Sequence, residues 1–196
     1  TNIKGHKMST SKRKIRRKPI RISFEEFRQA GQGPVDCGCA GGEGAMTLAG
    51  HMIRQTEALA PAEVLDDLLI RDPDAPVHGV WHHVMVGGLL LVCLRNTGYE
   101  ISDDLIDEVL YRGGVMPGGA CGFMGACGAL VSASSAYAVL LGSTPVATEA
   151  REKLLALSAR MQEKLAQIGG SRCCKKSSYV ALETAVSYTH LTLPTK

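Results

Sequence analysis

The chain has 196 residues, 45% of them apolar and 21% charged, the proportions of a folded domain with an appendage rather than of a fibrous or disordered chain. Its formal charge of +3 is uneven, because residues 1–22 hold nine Lys/Arg and no acid, so the body that follows is acidic. No apolar run reaches the ~18–20 residues of a membrane span, and the N-terminus lacks the apolar segment of a signal peptide.

Residues 1–22 read as a basic, disordered arm, KRKIRRKPIR at its centre. The codons that fit Ile3-Lys4-Gly5-His6-Lys7-Met8 resemble a ribosome-binding site before a start codon, so residues 1–7 are expected to be untranslated leader. Ser23 followed by Glu26 resembles a capping box and opens a short helix that ends at Gly31. A glycine loop with Cys37 and Cys39 comes next, then a helix over Ala45 to Ala58. Pro61 suits the first turn of another helix, AEVLDDLLIR, stopped by DPDAP.

The stretch HGVWHHVMVGGLLLVCLRNTG is apolar without alternation and ends on Asn-Thr-Gly, which predicts a buried helix rather than a strand. Ser102, Asp103 and Asp104 open SDDLIDEVLYRGG, with acids in the first turn and Arg112 in the last, as the helix dipole favours. The loop GGACGFMGACG leads into ALVSASSAYAVLLG, whose small residues allow close helix packing. Thr148 starts a long amphipathic helix with Leu154, Leu157, Met161, Leu165 and Ile168 on one face, ended by Gly169-Gly170. A last helix starts near Cys173-Cys174. The expected fold is all-α, a compact bundle of about six to seven helices with Gly/Cys-rich loops at helix N-termini. The expected domain is 23–185. The stretch 186–196, with VSYTHLTLPT, reads like a translated sequencing adapter, so the native C-terminus is expected to be missing beyond about Ala185.

Seven cysteines without a secretion signal suit the reducing cytoplasm, where thiols serve as ligands, nucleophiles or core residues. Cys37/Cys39, Cys121/Cys127 and Cys173/Cys174 each lie at a loop-to-helix junction, where unpaired N–H groups favour thiolate. His78 and His82 stand four residues apart, the helical spacing that lets two imidazoles share a metal, and His83 adjoins them. Spacing alone leaves three readings open: a metal centre, a thiol/disulfide redox pair, or packed inert cysteines. Cys93 reads as core and the solitary His51 as a surface histidine. No GxGxxG follows a strand and no GK[ST] follows the glycines, which argues against a nucleotide site. The acidic body without aromatic interleaving argues against nucleic acid.

Three blocks taken together resemble a known pattern: HGVWHHVMVGGLLLVCLRN, then RGGVMPGGACGFMGACGAL with STP, then GGSRCCKKSSYVAL. The order resembles an uncharacterised prokaryotic domain family, domain of unknown function 5714, over roughly Ala60 to Ala185. Its members often carry an upstream zinc-ribbon-like segment, for which Cys37 and Cys39 alone are too few. A looser similarity joins GFMGACGALVSA and the late Cys173/Cys174 to the C-GCAxxG-C-C family of redox-active proteins. The first resemblance places its pattern on His82, His83, Cys121, Cys127, Cys173 and Cys174, with Arg172 and Lys175 beside them.

These observations lead to one expectation and a rival. The expectation is a clustered Cys/His site, binding zinc or an iron–sulfur cluster or working as a thiol-redox centre. Cys121, Cys127, Cys173, Cys174, His82 and His83 are its candidate ligands, Cys37, Cys39 and His78 weaker ones. The four later cysteines are the catalytic groups in the redox version, while Arg172 and Lys175 bind a small anionic substrate or lower the thiol pKa. A redox partner protein is the other expected partner. The rival is a non-enzymatic structural or partner-binding module, recruited through the basic arm.

Overall fold

The computed structural model describes residues 53–71 and 78–192. The basic arm, the Ser23–Gly31 helix and the Cys37/Cys39 loop lie outside the described residues. Within them the chain forms seven helices and no strand: α1 (Pro61–Arg71), α2 (Trp81–Asn96), α3 (Asp103–Gly114), the single turn α4 (Ala120–Phe123), α5 (Gly128–Leu141), α6 (Thr148–Ile168) and α7 (Cys174–Thr192). The fold is an all-α bundle.

α2 is the axis of that bundle. It has no polar face, so it is stable only with neighbours on every side. Every residue from Trp81 to Leu89 is buried, as are Leu91, Val92 and Cys93. α5 and α3 lie closest to it, and α7 and α1 complete the shell. Gly87 makes the approach of α5 possible. A Cβ at that position would stand 2.6 Å from the Ser132 carbonyl oxygen and from Val109 Cγ1. The Gly87 N–H instead donates to Ser132 Oγ at 2.8 Å, which also meets that serine's need for a buried partner.

Local chemistry sets the outer helices. Ser102 caps α3, its hydroxyl accepting from Leu105 N–H, with Asp103 and Asp104 in the first turn and Arg112 in the last. α5 ends on Gly142 at φ +61°, the left-handed stop that glycine supplies. α6 buries Leu157 and Met161 and half-buries Leu154 and Leu165. Ile168, expected on the same stripe, is 52% exposed. α7 continues through 186–192, and Tyr188 packs edge-on against Tyr137 with ring centroids 5.6 Å apart. No described helix is long and apolar enough to cross a membrane.

Asn96 fixes the far end of α2. Its side-chain amide donates to the carbonyls of Thr56 and Ala58, both at 2.9 Å, which ties the segment before α1 to the axis. Asn96→Ala strands two half-buried carbonyls. The expected cost is about 1–3 kcal/mol, read as a lower urea midpoint with an unchanged slope.

Candidate functional site

The N-termini of α2, α5 and α7 meet at one end of the bundle. Three of the sequence blocks meet there with them. Gly79, just before α2, joins the first and the last: its backbone hydrogen-bonds both the His82 ring and the Cys174 sulfur. Cys127 is the N-cap of α5, and Cys174 is the first residue of α7. Both are buried, and Cys127 is near enough to Cys174 to act on it electrostatically. Arg172 hydrogen-bonds the Cys174 sulfur, and its charge acts on His82 and His83.

Both imidazoles are buried, His82 at 3% exposure and His83 at 4%, with ring centroids 4.3 Å apart. The sequence suggests that one faces inward while the other bonds a loop; both face inward, and His83 bonds the loop as well. His83 Nδ1 lies 3.1 Å from the Met116 carbonyl oxygen. A carbonyl only accepts, so the neutral ring carries its proton on Nδ1 and its lone pair on Nε2. The face of that ring lies on Gly128, where an added Cβ would come within 2.0 Å of Cδ2 and 2.1 Å of Nε2. His82 is arranged in the opposite sense. Its Nδ1 is buried with no hydrogen-bond partner among the described residues, which leaves Nε2–H as the donor to Gly79. Each ring is therefore anchored through one nitrogen on backbone and offers the other nitrogen's lone pair. The indole Nε1 of Trp81 and Nδ1 of His78 are further buried polar atoms with no hydrogen-bond partner among the described residues.

Burial keeps the two imidazoles and the Cys174 thiol neutral beside the charged Arg172. Burial lowers His82 well below the usual 6.5, and the charges of His83, Arg172 and His78 push the same way against the Gly79 bond. Burial likewise brings His83 down to about 4, against the Met116 hydrogen bond and with Arg172. The helix N-terminus is expected to favour thiolate at Cys174, yet burial raises that thiol above its ordinary value. The Gly79 N–H and Arg172 offset only part of the desolvation. Acidic groups are kept away as well. α2, α5 and α7 have no acid in their first turns, whereas α1, α3 and α6 carry Glu63, Asp103 with Asp104, and Glu149 there.

A family model described as a family of unknown function (DUF5714) matches residues 49–196. The chain belongs to that family. No curated protein and no solved structure matches it. In this DUF5714 chain the expected site residues separate into two groups. His82, His83, Cys127, Cys174 and Arg172 converge. Cys173 does not join them: its sulfur accepts from the Lys176 N–H at 3.4 Å and so caps α7. Cys121 is half-buried in α4 and packs against the core, and Lys175 is half-buried in the first turn of α7. His78 precedes α2 instead of riding on it, so the helical four-residue spacing with His82 does not apply, although the two rings remain near enough to interact. Cys93 is core, its thiol pushed up to about 11 by burial and by Glu63. The backbone groups of Gly79 and Met116 are the partners that sequence reading missed. Main-chain atoms carry no residue signature, though a buried glycine two residues before α2 is a hint.

Among the described residues no three His, Cys, Asp or Glu side chains are already drawn into a ligand set. The donor chemistry nevertheless fits a borderline-soft metal ion: two neutral imidazoles, two thiols and one buried lone pair with nothing to bind.

Proposed function

We propose that this end of the bundle is a metal centre for zinc, with His82 Nδ1, His83 Nε2 and the sulfurs of Cys127 and Cys174 as its ligands. The observation that carries the reading is the buried, unpartnered His82 Nδ1 on a ring whose other nitrogen is held by the Gly79 backbone. Metal-ligating histidines almost always donate their second N–H to a carbonyl or carboxylate, and both rings here do so to backbone. Zinc suits two thiolates and two imidazoles. Two imidazoles beside two buried thiols favour it over a four-thiolate iron–sulfur cluster. When bound, zinc would supply the positive charge that holds both sulfurs as thiolates at neutral pH. The chain's own contribution is the Arg172 hydrogen bond, the Gly79 N–H and three helix N-termini without acids, all of which favour negative sulfur. A reducing compartment such as the cytoplasm keeps the free thiols available for this role.

A second reading rests on the Arg172–Cys174 hydrogen bond alone: Cys174 exchanges with a disulfide of a redox partner protein, Arg172 stabilising its thiolate. One preparation tests both. The full chain is expressed in medium with zinc and iron and purified without metal-affinity steps. Elemental analysis is expected to find about one zinc per chain, the thiols protected from alkylation until a chelator is added. Cys174→Ser and His82→Gln are expected to lose the metal. Folded, metal-free protein with a rapidly alkylated Cys174 supports the exchange reading and sinks the zinc reading. Brown protein containing iron also sinks it.

A further inference from the structure

At the opposite end of α2 from the Cys/His cluster lies a cavity of about 660 Å³. Its walls are the start of α1 (Pro61, Ala62), the second half of α2 (Leu90, Cys93, Leu94), one face of α5 and the middle of α7. It is a cleft between helices that opens to solvent past Leu59, Thr97 and Tyr99, not a sealed void. It falls in the size range of small-molecule sites, and its walls are mostly apolar, as theirs are. The room comes from small residues. Ala133, Ala136 and Ala185 present small side chains to it, whereas α5 fills the core elsewhere with Leu130.

The walls also say what does not belong there. Among the described residues no Lys, Arg or His lines the cavity, and the one charged residue there, Glu183, is exposed and paired with Lys164 at 3.2 Å. The buried Cys93 thiol stays protonated, so it adds no charge to the wall. A carboxylate or phosphate carried into the apolar depth of the cleft would meet no counter-charge among the described residues, at a cost of several kcal/mol. The polar groups of the lining are few: Thr97 and the 42%-exposed Tyr99 follow the end of α2, and Ser187 and Glu183 lie on α7. An occupant with an apolar body and a neutral polar end is matched by that layout.

We propose that the cavity is a binding site for an uncharged, lipid-like molecule, an acyl or isoprenoid chain with a neutral head held at the Thr97/Tyr99 side. The site is separate from the Cys/His cluster and does not depend on the metal reading.

The test uses the full chain with N-phenylnaphthylamine, a neutral apolar fluorophore. Saturable fluorescence enhancement is expected, displaced by decanol and at least ~10-fold less well by decanoate, because only the second brings a charge into the cavity. Two variants fill the space from different walls, Ala136→Leu from α5 and Leu90→Trp from α2. Either one, with its helical circular dichroism intact, is expected to weaken the probe at least ~10-fold, since the added atoms occupy its volume. The metal content of both should match the parent. Absence of saturable binding overturns the proposal. So does a folded, filled variant that binds the probe as the parent does, or displacement by decanoate as strong as by decanol.

Discussion

Gly113→Ala is expected to cost the fold about 3 kcal/mol or more, one of the largest effects of a single methyl group in this chain. Gly113 sits in the last turn of α3, where that helix crosses the start of α2. A Cβ there would fall 1.9 Å from the His83 carbonyl oxygen and 2.8 Å from its carbonyl carbon. Those are backbone atoms inside the axis helix, so no rotamer change relieves the clash. Either α3 lifts from α2 or the first turn of α2 distorts, and both outcomes move His83. Against this, alanine has the better helix propensity by roughly 1 kcal/mol, which is too little to compensate. Gly122→Ala in α4 is the control. Nothing lies within 4 Å of a Cβ at that position, so a small change is expected. Urea denaturation of the two variants beside the parent decides the matter. Equal midpoints for Gly113→Ala and the parent would mean that α2 and α3 do not approach as closely as described.

The same glycine shows where sequence reading stops. SDDLIDEVLYRGG is legible as a helix because its cap, its first-turn acids and its last-turn arginine are all local, and the observed α3 follows them. Nothing local separates a glycine that ends a helix from one that lets another helix touch it. α2 was legible as buried because a helix without a polar face has only one stable environment. The site divides along the same line. The His-His and Cys-Cys blocks were visible as polar groups that a packed core does not need. Which member of each pair points inward was not visible. Cys173 and Cys174 are neighbours of identical chemistry, yet one caps α7 through its sulfur and the other is buried beside Arg172. That choice depends on where α7 meets α2, a tertiary fact. His78 illustrates the converse: an attractive spacing lost its meaning because the helix begins three residues later.

Burial of the two histidines predicts a steep loss of stability in mild acid. In the unfolded chain each imidazole titrates near 6.5, whereas folded His83 does so only at about 4 and folded His82 well below 6.5. Between those values the unfolded state binds protons that the folded state refuses, so the free energy of unfolding rises with pH. The contribution is fully present above about 6.5 and is lost as pH falls toward 4, by about 3 kcal/mol for His83 alone. His82 adds in the same direction. The measurement is a series of urea melts from neutral pH down to the edge of the carboxylate range. A chelator is present throughout, so that no metal competes with protons for the rings. The expected slope is at least ~1.4 kcal/mol per pH unit in the lower half of that window. His83→Gln is expected to flatten it. Glutamine can still donate to the Met116 carbonyl but has no proton to gain. An unchanged slope in that variant, or a parent whose midpoint does not move, would place the imidazole in contact with water. The Cys/His end of the bundle would then be open rather than closed. A closed end is what keeps both rings neutral with a lone pair free at neutral pH, the form in which an imidazole binds a metal ion.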